Sequence, residues 1–211
     1  MAAIIIVGLG LGHSEAITVE ASRALPPGEM AKINLNYRQD LEELAELAAE
    51  KGKTIIVSSV PSNGDYKPLF SVHRPGMTEG ELERFDHAYA RGLALYQRSQ
   101  FREALTYLLE AYDLDQHVAI LNYMIGRSYL HLGDVGQGRS FVTRSIDDDG
   151  LPFRSLSSLR HISETVARGF DSVYFVDTVA SFGRAMDAGI SEEQLFSDFQ
   201  HPSLFYQMLF L

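Results

Sequence analysis

No cysteine occurs in the 211 residues, which excludes disulfides, thiolate catalysis and Cys-ligated zinc or iron-sulfur sites. Compartment stays open, because a cysteine-free chain survives in any redox environment. Positive charge is also scarce: 18 Lys and Arg stand against 28 Asp and Glu, a formal net charge of -10. Such a surface repels phosphate backbones and anionic lipid, so nucleic acid and membrane surfaces are poor partners, while small neutral ligands and other proteins remain. Long apolar runs are missing too. Ala2 to Leu11 covers about half of the roughly 20 residues that a membrane helix needs and follows no Lys or Arg, and Leu204 to Leu211 is shorter and broken by Gln207. The expectation is a soluble chain with no membrane segment or signal peptide, cytoplasmic as written.

Hydrophobic residues at 45% and charged residues at 22% lie near globular averages and argue against a disordered or fibrous chain. At about 150 residues per domain, the length suggests one domain with a small addition. The run Ile4-Ile5-Ile6-Val7 is β-branched and unalternating, the pattern of a strand buried on both faces of a parallel sheet. Asn34 or Asn36 caps a predicted helix to Lys51, with Leu41, Leu44, Leu47 and Ala48 on its apolar face. Thr54 to Val60 is a second such strand, stopped by Pro61-Ser62-Asn63-Gly64. After a predicted helix from Ser155 to Phe170, Val173 to Val176 is a third, and the α/β alternation predicts parallel pairing.

Between these parts the chain repeats itself at a shift of 34 residues. Gly92 falls on Gly126, Ala104 on Gly138, Ala111 on Ser145, and Asp113-Leu114-Asp115 on Asp147-Asp148-Asp149. The pattern resembles the tetratricopeptide repeat, with Gly92 and Gly126 at close helix crossings, Tyr129 one turn on, and Ala104, Gly138 and Ala111 where helices touch. Two repeats fit, and since about three are normally needed to bury an apolar face, they are expected to be an insertion packed on the α/β part.

Chemistry is concentrated near the end, in Asp198-Phe199-Gln200-His201-Pro202. The spacing suits a helix start, with Asp198 near the cap and Pro202 in the first turn. It also suits a base, in which Asp198 fixes the His201 tautomer and the free ring nitrogen deprotonates a hydroxyl. His13, His73, His87, His117, His131 and His161 show no metal-ligand pairing, so no metal is assigned. Asp147 to Asp149 lacks the Gly and Glu of a calcium loop. Gly8, Gly10 and Gly12 miss the third glycine of a nucleotide loop. No cofactor is expected.

Taken in order, Asn36-Tyr37-Arg38, Val60-Pro61-Ser62-Asn63, Ser71-Val72-His73-Arg74-Pro75-Gly76, Leu151-Pro152-Phe153-Arg154 and Leu195 to Pro202 resemble the SGNH/GDSL serine esterase family, in its branch with inserted tetratricopeptide repeats. The resemblance implies an α/β, three-layer parallel-sheet SGNH-hydrolase-like fold, truncated at its N-terminal nucleophile block, with an all-α helical insertion. Residues 1–83 and 151–211 would be the two parts of the α/β domain and 84–150 the two repeats. It implies hydrolysis of acyl or acetyl esters, with His201 as general base oriented by Asp198, and Asn63, His73 and Arg74 bordering the substrate. Gly12-His13-Ser14-Glu15 aligns in two ways, placing Ser14 either at the oxyanion position or as nucleophile. The alternative function is an inactive scaffold that binds a protein partner through the repeats. An apolar first strand without flanking strands also implies a homo-oligomer, or dependence on the missing N-terminal strands. Members of this branch are often exported or membrane-anchored.

Overall fold

The computed structural model describes residues 4–7 and 27–203. In chain order its elements are β1 (Ile4–Val7), α1 (Pro27–Glu50), β2 (Thr54–Ser58), α2 (Glu79–Gln97), α3 (Phe101–Leu114), α4 (Ala119–His131), α5 (Val135–Asp147), α6 (Ser157–Gly169), β3 (Val173–Val176), α7 (Thr178–Asp187) and α8 (Glu192–Leu195). Residues 4–7, 27–65 and 153–203 make one unit, and Tyr66–Pro152 makes another, entirely helical one.

In the first unit the strands pair in parallel in the order β1-β2-β3. Successive side chains point to opposite faces of a strand. Ile55 and Val57 are buried together with Val173, the register partner of Ile55, and against them lie Leu41, Ala45 and Ala48 of α1 and Ile162, Val166 and Ala167 of α6. Each buried Leu, Ile or Val contributes about 1.5–3 kcal/mol, so this one layer of side chains dominates the unit's stability. Tyr37 Oη and Ser163 Oγ, 2.7 Å apart, join the two helices.

This architecture corrects the expected fold class. The described residues are mostly helical, with one small sheet, and do not form a three-layer parallel-sheet SGNH-hydrolase-like fold. The strands are only four or five residues long. On the second face Tyr174 is 59% and Val176 43% exposed, so a third layer is absent there among the described residues. Helix α1 differs as well: it begins at Pro27, ahead of both candidate caps. Asn34 sits within it and accepts a hydrogen bond from Ser158 Oγ of α6 at 3.1 Å. The buried face turns toward Ala45, leaving Leu47 exposed.

The helical unit repeats its geometry at the 34-residue shift. Its helices form two pairs, α2 with α3 and α4 with α5, and α3 packs on α4. A capping box of Thr78 and Glu81 starts α2. A Cβ on Gly92 would lie 2.6 Å from the Leu108 side chain, and one on Gly126 would lie 2.8 Å from the backbone nitrogen of Val142, the residue 34 positions after Leu108. The turns between paired helices correspond too, since Ser99 (φ 59°) and Gly133 (φ 84°) both take the left-handed conformation. Only glycine adopts it without steric cost.

A second correspondence explains why the unit starts at Tyr66, ahead of the repeats. Asp115, the C-cap of α3, and Asp149, two residues past α5, are 34 residues apart and both buried. Asp115 Oδ2 accepts the Arg74 amide at 2.9 Å and meets His73 Nδ1 at 3.0 Å, and Asp149 accepts the Leu69 and Phe70 amides at 2.8 and 2.9 Å. Each also accepts the amide two residues on, that of His117 or Leu151. Ser71 Oγ accepts the Ile120 amide at 2.8 Å, and the Gly150 amide donates to Phe70 O at 3.0 Å. The segment from Leu69 to Arg74 is thus a strap laced across both repeats.

Two predictions follow from these contacts. Gly126→Ala drives a methyl into backbone and should cost about 1–3 kcal/mol, whereas Gly92→Ala should cost less because the Leu108 side chain can turn aside. Denaturant unfolding with exposed Glu103→Ala as control checks this, and an unchanged curve for Gly126→Ala would refute the crossing. Asp115→Ala strands two amides and should cost about 1–3 kcal/mol for each donor left buried. Faster amide exchange at Arg74 and His117, not seen with exposed Asp113→Ala, identifies the loss.

Candidate functional site

Side chains that follow the carboxyl ends of β2 and β3 are drawn together, where parallel sheets commonly gather their functional loops. Ser59, buried just after β2, donates its amide to Val176 O at 3.1 Å and its hydroxyl to Asp177 Oδ1 at 3.1 Å, and accepts the Val179 amide at 3.1 Å. Thr178 Oγ1 donates to Ser59 O. Asp177 caps α7 through the Ala180 amide and pairs with Arg160 Nη2 at 2.5 Å. Partial burial pushes the Asp177 carboxyl up, but hydrogen bonds from Arg160, the Ala180 amide and Ser59 outweigh it and hold the group below its ordinary value.

The loop after β2 then reaches the chain's last described segment. There Phe196 bridges Pro202, the Ser203 amide donates to Leu195 O at 2.8 Å, and the Ser197 amide donates to His201 O at 2.9 Å. Residues 197–201 form a closed turn, which decides against Asp198 as the cap of a helix with Pro202 in its first turn. Asp198 Oδ1 accepts the Gln200 and His201 amides at 2.8 and 2.7 Å, leaving Oδ2 2.7 Å from His201 Nδ1. Burial pushes the Asp198 carboxyl up, yet the two amides and the imidazole pull harder, and it stays below its ordinary value. The His201 side chain is 73% exposed and that of Asp198 38%.

With a carboxylate on Nδ1, the neutral ring carries its proton there and presents Nε2 as an acceptor. Among the described residues nothing hydrogen-bonds Nε2. The nearby serines are engaged elsewhere: Ser62 donates to Ser155 O, Ser197 to His201 O and Ser203 to Gln194 O. Ser14, the sequence's candidate for nucleophile or oxyanion position, lies outside the described residues. Phe199 stands between Phe153 and His201, with ring centroids 6.2 and 6.4 Å away.

Asn63 is beside the pair, but it faces the protein. Only 4% exposed, it donates its amide to Phe199 O at 2.9 Å and Nδ2 to Asp198 O at 3.2 Å, while Oδ1 accepts the Asp65 amide at 2.9 Å. His73 and Arg74 belong to the helical unit, where Asp115 holds the imidazole and Glu81 Oε1 holds Arg74 Nη2 at 2.8 Å. In the acidic run, Asp148 meets His117 Nδ1 at 3.1 Å and Asn122 Nδ2 at 2.9 Å, and Asp149 serves the strap.

Sequence reasoning missed Ser59, Asp177 and Arg160. Asp177, immediately after a strand and before a helix, carried an N-cap signal. Arg154, whose Nη1 reaches Asn63 O across 91 residues of sequence, was named within the Leu151-Pro152-Phe153-Arg154 motif but given no role.

A pH prediction follows. Asp177 and Asp198 ionise below their ordinary value in the folded chain, so the stability they contribute is complete above the ordinary carboxylate range and is lost as pH falls through their lowered values. Asp177→Asn should lower stability at neutral pH and flatten the loss in acid, measured by urea unfolding at neutral pH and at about pH 3. An equally steep acid limb in the variant would assign it to other carboxylates.

Comparison with known proteins yields no family model that matches this chain, no matching curated protein and no matching solved structure, so the reading of the site rests on its geometry.

Proposed function

We propose that this chain hydrolyses acyl or acetyl esters with His201 as general base. One observation carries the reading: Asp198 Oδ2 holds His201 Nδ1 at 2.7 Å while no described residue engages Nε2 and the imidazole is exposed. An oriented imidazole of this kind removes a hydroxyl proton during attack on the ester carbonyl and returns it to the leaving alcohol. Asp198 stabilises the imidazolium formed between those steps and stays ionised itself. Ser14 is proposed either as the nucleophile that gives up that proton or as an oxyanion donor, in which case another hydroxyl is the nucleophile. The ordered motifs that resemble the SGNH/GDSL esterases support the substrate class; the fold does not contribute to that argument.

A second reading is a scaffold without catalysis, in which the tetratricopeptide-like helices bind a protein partner. It is favoured by the absence of any described serine on His201 Nε2. The two readings separate in one assay. With short-chain nitrophenyl esters, hydrolysis should fall about 10²- to 10⁴-fold in His201→Ala, the contribution expected of a positioned base. Ser14→Ala tells whether that residue is the nucleophile. A wild-type rate no higher than that of His201→Ala would leave the scaffold.

A further inference from the structure

We infer that Asn63 is a positioning residue, the clip that holds the Asp198 turn so that the carboxylate meets His201. The inference rests on reading Asp198 and His201 as a base pair, and it assigns Asn63 a role different from substrate contact.

Within the turn, Asp198 Oδ1 accepts the Gln200 and His201 amides, which leaves the tip's own carbonyls to be held from outside. Its closing contacts, Ser197 N to His201 O and the Phe196–Pro202 bridge, fix its ends. Its tip, where Asp198 and Phe199 lie, has two consecutive carbonyls that no helix or ladder engages. Asn63 takes both: its backbone amide donates to Phe199 O at 2.9 Å and its Nδ2 to Asp198 O at 3.2 Å. Two donors from one residue onto consecutive carbonyls fix the orientation of the intervening peptide, as a single bond would not. That peptide determines where the Asp198 side chain leaves the backbone.

Asn63 is itself immobilised. Its Oδ1 accepts the Asp65 amide at 2.9 Å, its carbonyl accepts from Arg154 Nη1 at 3.5 Å, and the next amide, that of Gly64, donates to Glu192 Oε1 at 3.1 Å. Arg154 and Asn63 are each only 4% exposed. The residue type is constrained by the pairing: Asp65 N needs an acceptor and Asp198 O needs a donor, and asparagine presents both at this length. Aspartate keeps the acceptor and loses the donor.

The test reads the imidazole directly. In the wild type, nitrogen NMR of His201 in the neutral state should show the Nδ1–H tautomer dominant. Asn63→Asp and Asn63→Ala should make that form a minority, while helical circular dichroism stays at wild-type level. Ser62→Ala, which breaks only the contact to Ser155 O, should leave it dominant. If Asn63→Asp keeps the wild-type tautomer, the clip is overturned. If the wild type itself lacks the Nδ1–H form, the base pair is overturned and the clip with it. Should Asn63→Ala fail to fold, Asn63→Asp alone decides. Ester turnover separates this inference from the proposed function. An Asn63-dependent tautomer without turnover keeps the clip and removes the hydrolase. With turnover, Asn63→Asp should lower kcat about 10²-fold at unchanged KM, the scale of an ångström's misplacement.

Discussion

Backbone amides outside helices and strands need acceptors, and in this chain short side-chain carbonyls and carboxylates supply them. The same local device recurs in both units: Asp115 takes the amide of His117, Asp149 that of Leu151, Asp198 that of Gln200, and Asn63 that of Asp65, always two residues on. Such turns satisfy one amide and leave a second oxygen or an amide group free to reach a distant segment. For Asp115 and Asp149 the distant segment is the strap, and for Asn63 it is the Asp198 turn; Asp198 spends its second oxygen locally, on the His201 ring. Part of the excess of acidic residues is therefore structural, and a purely solvated negative surface is the wrong picture of the -10 charge.

How much of this was legible depended on the range over which each feature acts. The 34-residue repeat was readable because a close helix crossing forbids a side chain, which leaves glycine at 92 and 126 as a local mark. The β-branched runs marked two strands, the short apolar run at Val173 to Val176 a third, and the α/β alternation their parallel sense. They misled on layers, because Ile55-Ile56-Val57 looks buried on both sides while the fold buries only the first and third. Tyr174, within β3, is 59% exposed on that uncovered face. Asn34 and Leu47 misled for a related reason: a capping residue and an apolar residue are indistinguishable by type from ones used differently once a partner such as Ser158 arrives from far along the chain.

The candidate site divides in the same way. Asp198 and His201 lie three apart, so their pairing could be read locally. The supports of that pair come from 135 and 91 residues away, through Asn63 with Asp198 and Arg154 with Asn63, and no periodicity or spacing encodes such contacts. His73 and Arg74, expected to border the substrate, lie in the helical unit on Asp115 and Glu81. Residue types suited to a substrate border are equally suited to tying a loop to a helix end, and Asp115 and Glu81 use them for that.

The strap also bears on how the helical unit can be handled as a piece. A fragment cut at Arg84, where the repeats begin by pattern, would discard Leu69 to Arg74 together with the Thr78–Glu81 capping box. Asp115 would then be a buried carboxylate stripped of the Arg74 amide and the His73 ring, and Asp149 would lose two amides. The natural excision boundary is Tyr66. Grafting these two repeats into another protein therefore means carrying eighteen further residues, 66–83, that the repeat pattern does not include.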